Sequence, residues 1–222
     1  MKRTMIITAA GNGARMESKI RKIWLPLEGE SVLAHTLARV RESGLFAEVL
    51  VAVHKDDLAR AEKLCEDFGF RAVEGGASRT ETVKKALREI STDAEAIFTH
   101  DAVRPFADAE LMRRVATALE THDAVVPVVP VVDTVKLVTG GFVYATPSRE
   151  RLMRVQTPQG FRRAVLLDAY EHHPDKTATD DASLVERAGY RVFTVAGDER
   201  NFKITTPADT ALARVLMEEA RA

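Results

Sequence analysis

Short runs of apolar, often β-branched residues alternate along this chain with longer stretches in which apolar positions recur every third or fourth residue. The short runs predict strands at Met5 to Ala10, Glu48 to Val53, Arg71 to Glu74, Ala96 to His100, Ala124 to Val129 and Arg191 to Val195. The longer stretches predict helices over Ser31 to Ser43, Asp57 to Phe68, Thr80 to Ile90, Ala109 to Thr121, Arg163 to His172, Asp180 to Arg187 and Pro207 to Arg221. In the first of these, Val32, Leu33, Thr36, Leu37 and Val40 form one stripe for burial. Such alternation implies an α/β fold: a single Rossmann-like, doubly wound, mostly parallel sheet with helices on both faces. In these sheets ligands bind beyond the carboxyl ends of the strands, so the chemistry is sought in the segments that follow them.

One segment breaks the alternation. Val135 to Ala145 carries Gly140-Gly141 between two short β-like runs, a hairpin signal. An isolated hairpin is marginal in water, so it needs a surface, supplied either by a second subunit or by its own domain. The Val-rich run from Val125 to Val132 reads as a buried strand with two prolines near its exit.

With 222 residues, 45% hydrophobic and 29% charged, the composition suits one well-filled domain over 1–222 rather than two domains or a disordered chain. The 32 Lys and Arg balance 33 Asp and Glu, leaving no global field for nucleic acid or an anionic membrane. Any anion site is therefore local. The apolar run after Lys2 and Arg3 is short and breaks at Gly11, unlike a signal peptide, and no run reaches the ~18 apolar residues of a membrane span. The single Cys65 cannot form an internal disulfide and reads as a structural thiol on a helix, in keeping with a cytoplasmic chain. The six histidines show no metal-ligand spacing. Trp24, beside Leu25 and Leu27, reads as core.

The candidate chemistry follows the first strand. Ala9-Ala10-Gly11-Asn12-Gly13-Ala14-Arg15-Met16 is succeeded by Lys19, Arg21 and Lys22. Its two glycines let backbone amides approach a phosphate. A dinucleotide fingerprint would want a third glycine at Met16 and an acidic residue about 20 positions on, and the triphosphatase loop would want Gly-Lys-Ser/Thr. Neither fits. What remains is a phosphate loop followed by Arg15 and Lys22.

Ala-Ala-Gly-x-Gly-x-Arg-Met with Lys22 resembles the signature of cytidylyltransferases, and more specifically that of the 2-C-methyl-D-erythritol 4-phosphate cytidylyltransferase family of the non-mevalonate isoprenoid pathway. The resemblance runs nearly end to end, through Gly75-Gly76-Ala77-Ser78-Arg79, His100-Asp101-Ala102-Val103-Arg104-Pro105, Asp133-Thr134-Val135-Lys136, Gln156-Thr157-Pro158-Gln159, Thr179-Asp180-Asp181 and Phe202-Lys203-Ile204-Thr205. It implies transfer of CMP from CTP to a phosphorylated polyol, with release of pyrophosphate. By it, Arg15, Lys22, Arg149 and Lys203 would be catalytic, and Ala9, Ala10, Gly11, Asn12, Gly13, Gly76, Arg79, Thr82, Asp101 and Ala102 would surround the nucleotide. Arg104, Thr134, Thr157 and Thr179 would receive the polyol, and Asp101 would help hold magnesium or another divalent cation. The hairpin, within an arm at about 133–155, would cross to a second subunit of a homodimer. Arg21-Lys22-Ile23-Trp24 departs from the family's usual Pro-Lys-Gln/Ala-Tyr/Phe, Thr82 stands where Ser is common, and Asn201-Phe202-Lys203 replaces the frequent Asn-Ile-Lys.

Two other functions share part of this pattern. Ribitol 5-phosphate cytidylyltransferase resembles the same motifs, although Arg149-Glu150-Arg151-Leu152 and Arg154-Val155-Gln156 look more like the methylerythritol enzyme. A catalytically inactive nucleotide-binding module would keep the fold without needing Arg15, Lys22, Asp101, Arg149 and Lys203 together. The chemistry is physically consistent, because a phosphate monoester is its own nucleophile near neutral pH. What it needs is charge neutralisation, as two unit anions ~4 Å apart at an effective dielectric of ~20 repel by about 4 kcal/mol.

Overall fold

The computed structural model describes residues 1–11, 20–172 and 178–219. Its strands, in chain order, are β1 (Arg3–Ala9), β2 (Pro26–Leu27), β3 (Glu30–Ser31), β4 (Glu48–Val53), β5 (Arg71–Glu74) and β6 (Ala96–Asp101). They continue as β7 (Ala124–Pro130), β8 (Leu137–Thr139), β9 (Phe142–Ala145), β10 (Met153–Val155), β11 (Gln159–Arg162) and β12 (Val192–Ala196). The helices are α1 (Val32–Ser43), α2 (Leu58–Glu66), α3 (Arg79–Ala86), α4 (Ala109–Ala118), α5 (Arg163–His172), α6 (Asp181–Arg187) and α7 (Pro207–Glu219).

In the main sheet β5, β4, β1, β6, β11 and β7 lie side by side, with β10 and β12 also paired to β7. β1 pairs in parallel with β4 and β6, β4 with β5, and β12 with β7. β10 and β11 run antiparallel to their neighbours. Central strands are apolar on both sides because both faces are covered. Met5, Ile7, Val49, Val51 and Phe98 pack under α1, α2 and α4, joined by Ala213 and Met217 of α7. Ile6, Leu50, Ile97, Val126 and Phe161 pack under α3, α5 and α6. α1 begins where Ser31 Oγ accepts from Ala34 N and ends at Gly44, whose φ of 64° suits glycine.

The expected parallel strands and the seven helices are present, with shorter ends: α3 stops at Ala86 and α4 at Ala118. β10 and β11 were not foreseen from the pattern. The hairpin forms as β8 and β9, well exposed, with Phe142 80% accessible. The Val-rich strand ends at Pro130, and Val132 beyond it lies open to solvent rather than buried. Trp24 and Cys65 are core residues, and burial pushes the Cys65 thiol up to about 12. No helix of the described residues is long and apolar enough to cross a membrane.

Candidate active site

The carboxyl ends of β1 and β6 open into one cleft, which the loop after β5 closes on one side. That loop is held tightly against β1. A Cβ on Gly75 would meet Ala10 Cβ at 2.5 Å, and one on Gly76 would run into the Glu81 side chain, so only glycine allows this approach. Ser78 then caps α3, its Oγ accepting from Glu81 N, while Glu81 Oε2 reaches back past the cap to accept from Ala77 N. The buried Thr82 hydroxyl donates to Ser78 O at 2.8 Å and accepts from Gly76 N at 3.0 Å, fixing the loop from within.

Asp101 ends β6 and gathers three cations. Lys203 Nζ lies 3.1 Å, Arg104 Nε 3.2 Å and Arg79 Nε 3.8 Å from its carboxylate. Burial alone would raise its pKa, but Lys203, Arg79 and Arg104 outweigh burial and hold the carboxyl well below the usual carboxylate range. Arg79 bridges to a second acid, with Nη2 2.7 Å from Oδ2 of the fully buried Asp181. The hydroxyls of Thr99 and Tyr170 also donate to Asp181, leaving both its oxygens satisfied. Burial opposes the charge on Arg79, and Asp181 with Asp101 reverses that effect, raising its pKa. Burial and Asp181 likewise push the Tyr170 hydroxyl well above its ordinary value.

Lys203 arrives from the far end of the sequence on a loop pinned at several points. Gln156 Nε2 donates to Asp198 O at 2.7 Å, Asn201 Nδ2 to Thr157 O at 2.8 Å, and Arg104 Nη1 to Asn201 O at 2.7 Å. Ile204 N reaches Val103 O at 3.0 Å. Lys22 closes the cleft opposite, its Nζ donating to Thr205 O at 2.7 Å.

Of the residues singled out from the sequence, Ala9, Ala10, Gly11, Lys22, Gly76, Arg79, Thr82, Asp101 and Lys203 line this one cleft. Ala102 is buried beside it, and Arg104 supports Asp101 from its wall. Thr157 is buried, its hydroxyl accepting from Asp101 N at 3.1 Å and sharing a hydrogen with His100 Nδ1 at 2.8 Å. Thr134 and Thr179 are exposed loop residues outside the cleft lining. Arg149 is exposed on the arm, with Nη1 on Val132 O at 2.8 Å. Asn12, Gly13 and Arg15 lie outside the described residues. Asp181, Gln156 and Asn201 had no role assigned from the sequence; all three fall inside the motifs that carry the resemblance, but nothing local says what they hold.

Among the described residues no cluster of three metal-ligating side chains occurs, and Asp101 is the one carboxylate lining the cleft. That donor set suits a magnesium ion carried on nucleotide phosphates, which takes one or two carboxylates and keeps water, rather than an all-protein cage.

Comparison with known proteins agrees with this geometry. The sequence pattern of 2-C-methyl-D-erythritol 4-phosphate cytidylyltransferases matches residues 4–219. The protein of that name from Cereibacter sphaeroides is 42% identical over 215 residues, covering 96% of this chain and 95% of the relative. Among solved structures, the Thermus thermophilus 2-C-methyl-D-erythritol 4-phosphate cytidylyltransferase superposes with a TM-score of 0.82 at 36% identity, covering 98% of this chain and all of that one. The Anaerococcus prevotii 4-diphosphocytidyl-2C-methyl-D-erythritol synthase gives 0.86 at 31% identity, with 98% of each chain covered. With the cleft, its glycine-rich rim and its converging cations in place, the chain belongs to the 2-C-methyl-D-erythritol 4-phosphate cytidylyltransferase family of nucleotidyltransferases.

Proposed function

We propose that this protein transfers CMP from CTP to 2-C-methyl-D-erythritol 4-phosphate, giving 4-diphosphocytidyl-2-C-methyl-D-erythritol and pyrophosphate. The observation that carries the reading is the convergence of Lys22, Arg79 and Lys203 on one cleft beside Asp101 and the Gly75-Gly76 loop. Gly11, Gly76, Arg79 and Thr82, with Ala9, Ala10 and Ala102, shape the nucleotide pocket; Asn12, Gly13 and Arg15 are assigned to the triphosphate by the family resemblance. Lys22 and Arg15 neutralise charge developing on the α-phosphate, and Lys203 with Arg149 aims the acceptor phosphate. By the family resemblance Arg104, Thr134, Thr157 and Thr179 would take the polyol, although Thr134 and Thr179 lie outside the cleft lining and Arg104 and Thr157 are buried in hydrogen bonds of their own. No general base is needed, since the acceptor phosphate is already largely ionised.

Asp101 would hold the divalent cation, which supplies charge compensation between phosphate oxygens. Lys203 and Arg79, both paired with Asp101, place positive charge beside that position for the incoming anions. The chain acts in the cytoplasm, as its buried, unpaired Cys65 suits.

The same reading makes 1–222 one domain whose 133–155 arm serves a homodimer. Phe142 and Tyr144 on the hairpin are 80% and 66% exposed, and Val138 and Val143 more than half, an apolar surface that a partner subunit would cover.

The test is pyrophosphate release from CTP and magnesium with a panel of acceptors. Turnover is expected with 2-C-methyl-D-erythritol 4-phosphate and far less with ribitol 5-phosphate. Preference for ribitol 5-phosphate would transfer the assignment to that substrate, and silence with every acceptor would favour an inactive nucleotide-binding module.

A further inference from the structure

Lys22 stands on a short turn. The 3-10 segment Lys22–Trp24 is closed by Trp24 N on Arg21 O and Leu25 N on Lys22 O. Such a turn is weakly ordered by its own bonds, so its direction depends on what grips it from outside.

Ile23 and Trp24 are buried in the core and Lys22 Nζ bonds Thr205 O, and residues 54–60 after β4 add two grips that flank Lys22 in the chain. One residue before Lys22, the Arg21 guanidinium faces three partners: it hydrogen-bonds Asp56 Oδ2 at 3.1 Å and His54 Nδ1 at 2.9 Å through Nη2, and Nη1 forms an ion pair with Asp57 Oδ2 at 3.1 Å. Asp57 is 8% exposed, so this contact is better shielded than a surface ion pair. Two residues after Lys22, the Arg60 guanidinium lies 4.0 Å from the Trp24 ring centroid. Arg21 also has φ −61° and ψ 141°, an extended setting with no capping hydrogen bond from its side chain to the turn.

We propose that Arg21 and Asp57 form a clamp that positions Lys22, holding its turn in the orientation from which Nζ reaches the cleft and Thr205 O. The clamp touches no reacting atom; it acts through the backbone. It rests on the reading of Lys22 as the cation at the α-phosphate, and a displacement of such a group by about 1 Å can cost up to a hundredfold in rate.

Arg21→Ala, Asp57→Asn and their combination test this by steady-state kinetics. Each single change is expected to lower kcat about tenfold or more, leave the acceptor KM within about twofold, and the pair should be no worse than the slower single. Arg21→Pro should recover most of the lost kcat, because proline fixes φ near the observed value. Trp24 is the single tryptophan of the sequence, so its emission reports on the turn without any substrate. Arg21→Ala should shift it to the red and open it to acrylamide.

Losses that multiply in the double variant, an Arg21→Pro enzyme as slow as Arg21→Ala, or Trp24 emission unchanged by Arg21→Ala would each overturn the clamp. Should Asp57→Asn not fold, Arg21→Lys decides: its ammonium can serve one carboxylate, so an intermediate kcat supports the clamp and a wild-type kcat overturns it. If wild-type protein released no pyrophosphate with any acceptor, the proposed activity would fail while the fluorescence still judged the clamp.

Discussion

At the scale of the residue, charge placement decides this cleft. Lys22→Ala is expected to lower kcat by about 10² to 10³ while shifting the melting temperature little, because the ammonium acts on charge that develops only in the transition state. Single-turnover kinetics beside a thermal melt would show it, and near-normal turnover would remove Lys22 from the mechanism. His100 supplies a pH effect of a different kind. Its burial brings the imidazole pKa down to about 4, with Asp101 opposing the shift. In the unfolded chain it titrates near 6.5, so between those values the unfolded state binds the extra proton. Its contribution is therefore complete above about pH 6.5 and is lost on acidification toward pH 4, by about 3 kcal/mol in total. Urea unfolding at several pH values should show this slope in the wild type and a flatter one in His100→Gln; equal slopes would exclude His100 as its source. The cleft cations Lys22 and Lys203 and the acid Asp101 were legible because each sits in a compact motif. Asp181 was not, since its meaning depends on Arg79, Thr99 and Tyr170, which only folding brings to it.

At the scale of the element, the parallel strands and their helices were readable because burial on both faces leaves uninterrupted apolar runs. β10 and β11 were not. Met-Arg-Val and Gln-Gly-Phe-Arg are too short and too mixed to show a period, and their pairing with β7 and β6 is decided by partners well removed in sequence. The contact between the loops after β1 and β5 was visible only as glycines. Gly75 N bonds to Val53 O at 2.7 Å, and a methyl group at Gly75 would press on Ala10. Gly75→Ala should thus cost about 1–3 kcal/mol in stability and raise the KM for CTP more than that for the acceptor. Calorimetry with paired substrate titrations would reveal it, and an unaltered CTP KM would mean that the loop tolerates the added volume.

At the scale of the whole molecule, the proposed homodimer would divide the site between two chains. If Arg149 serves the partner's cleft, mixing equal amounts of Arg149→Ala and Lys22→Ala subunits should restore about a quarter of wild-type activity, because half of the dimers are mixed and each has one intact site. Activity that stays at the level of the separate variants, with subunit exchange confirmed by mass, would place Arg149 elsewhere. The sequence signalled the hairpin through Gly140-Gly141 but not its occupant, because a single chain cannot display what covers its own exposed face. The insertion of β11 between β6 and β7 has one more consequence. Among the described residues β6 and β7 share no ladder, and β11 is the wedge that joins the two halves of the sheet. As the nascent chain emerges from the ribosome, β1, β4, β5 and β6 can zip together early, yet the sheet's middle must stay ajar until the arm and then residues 159–162 have been made. The arm is thus a detour taken before the last central gap is shut, and a stall within it would expose the open flank of β6 to other chains.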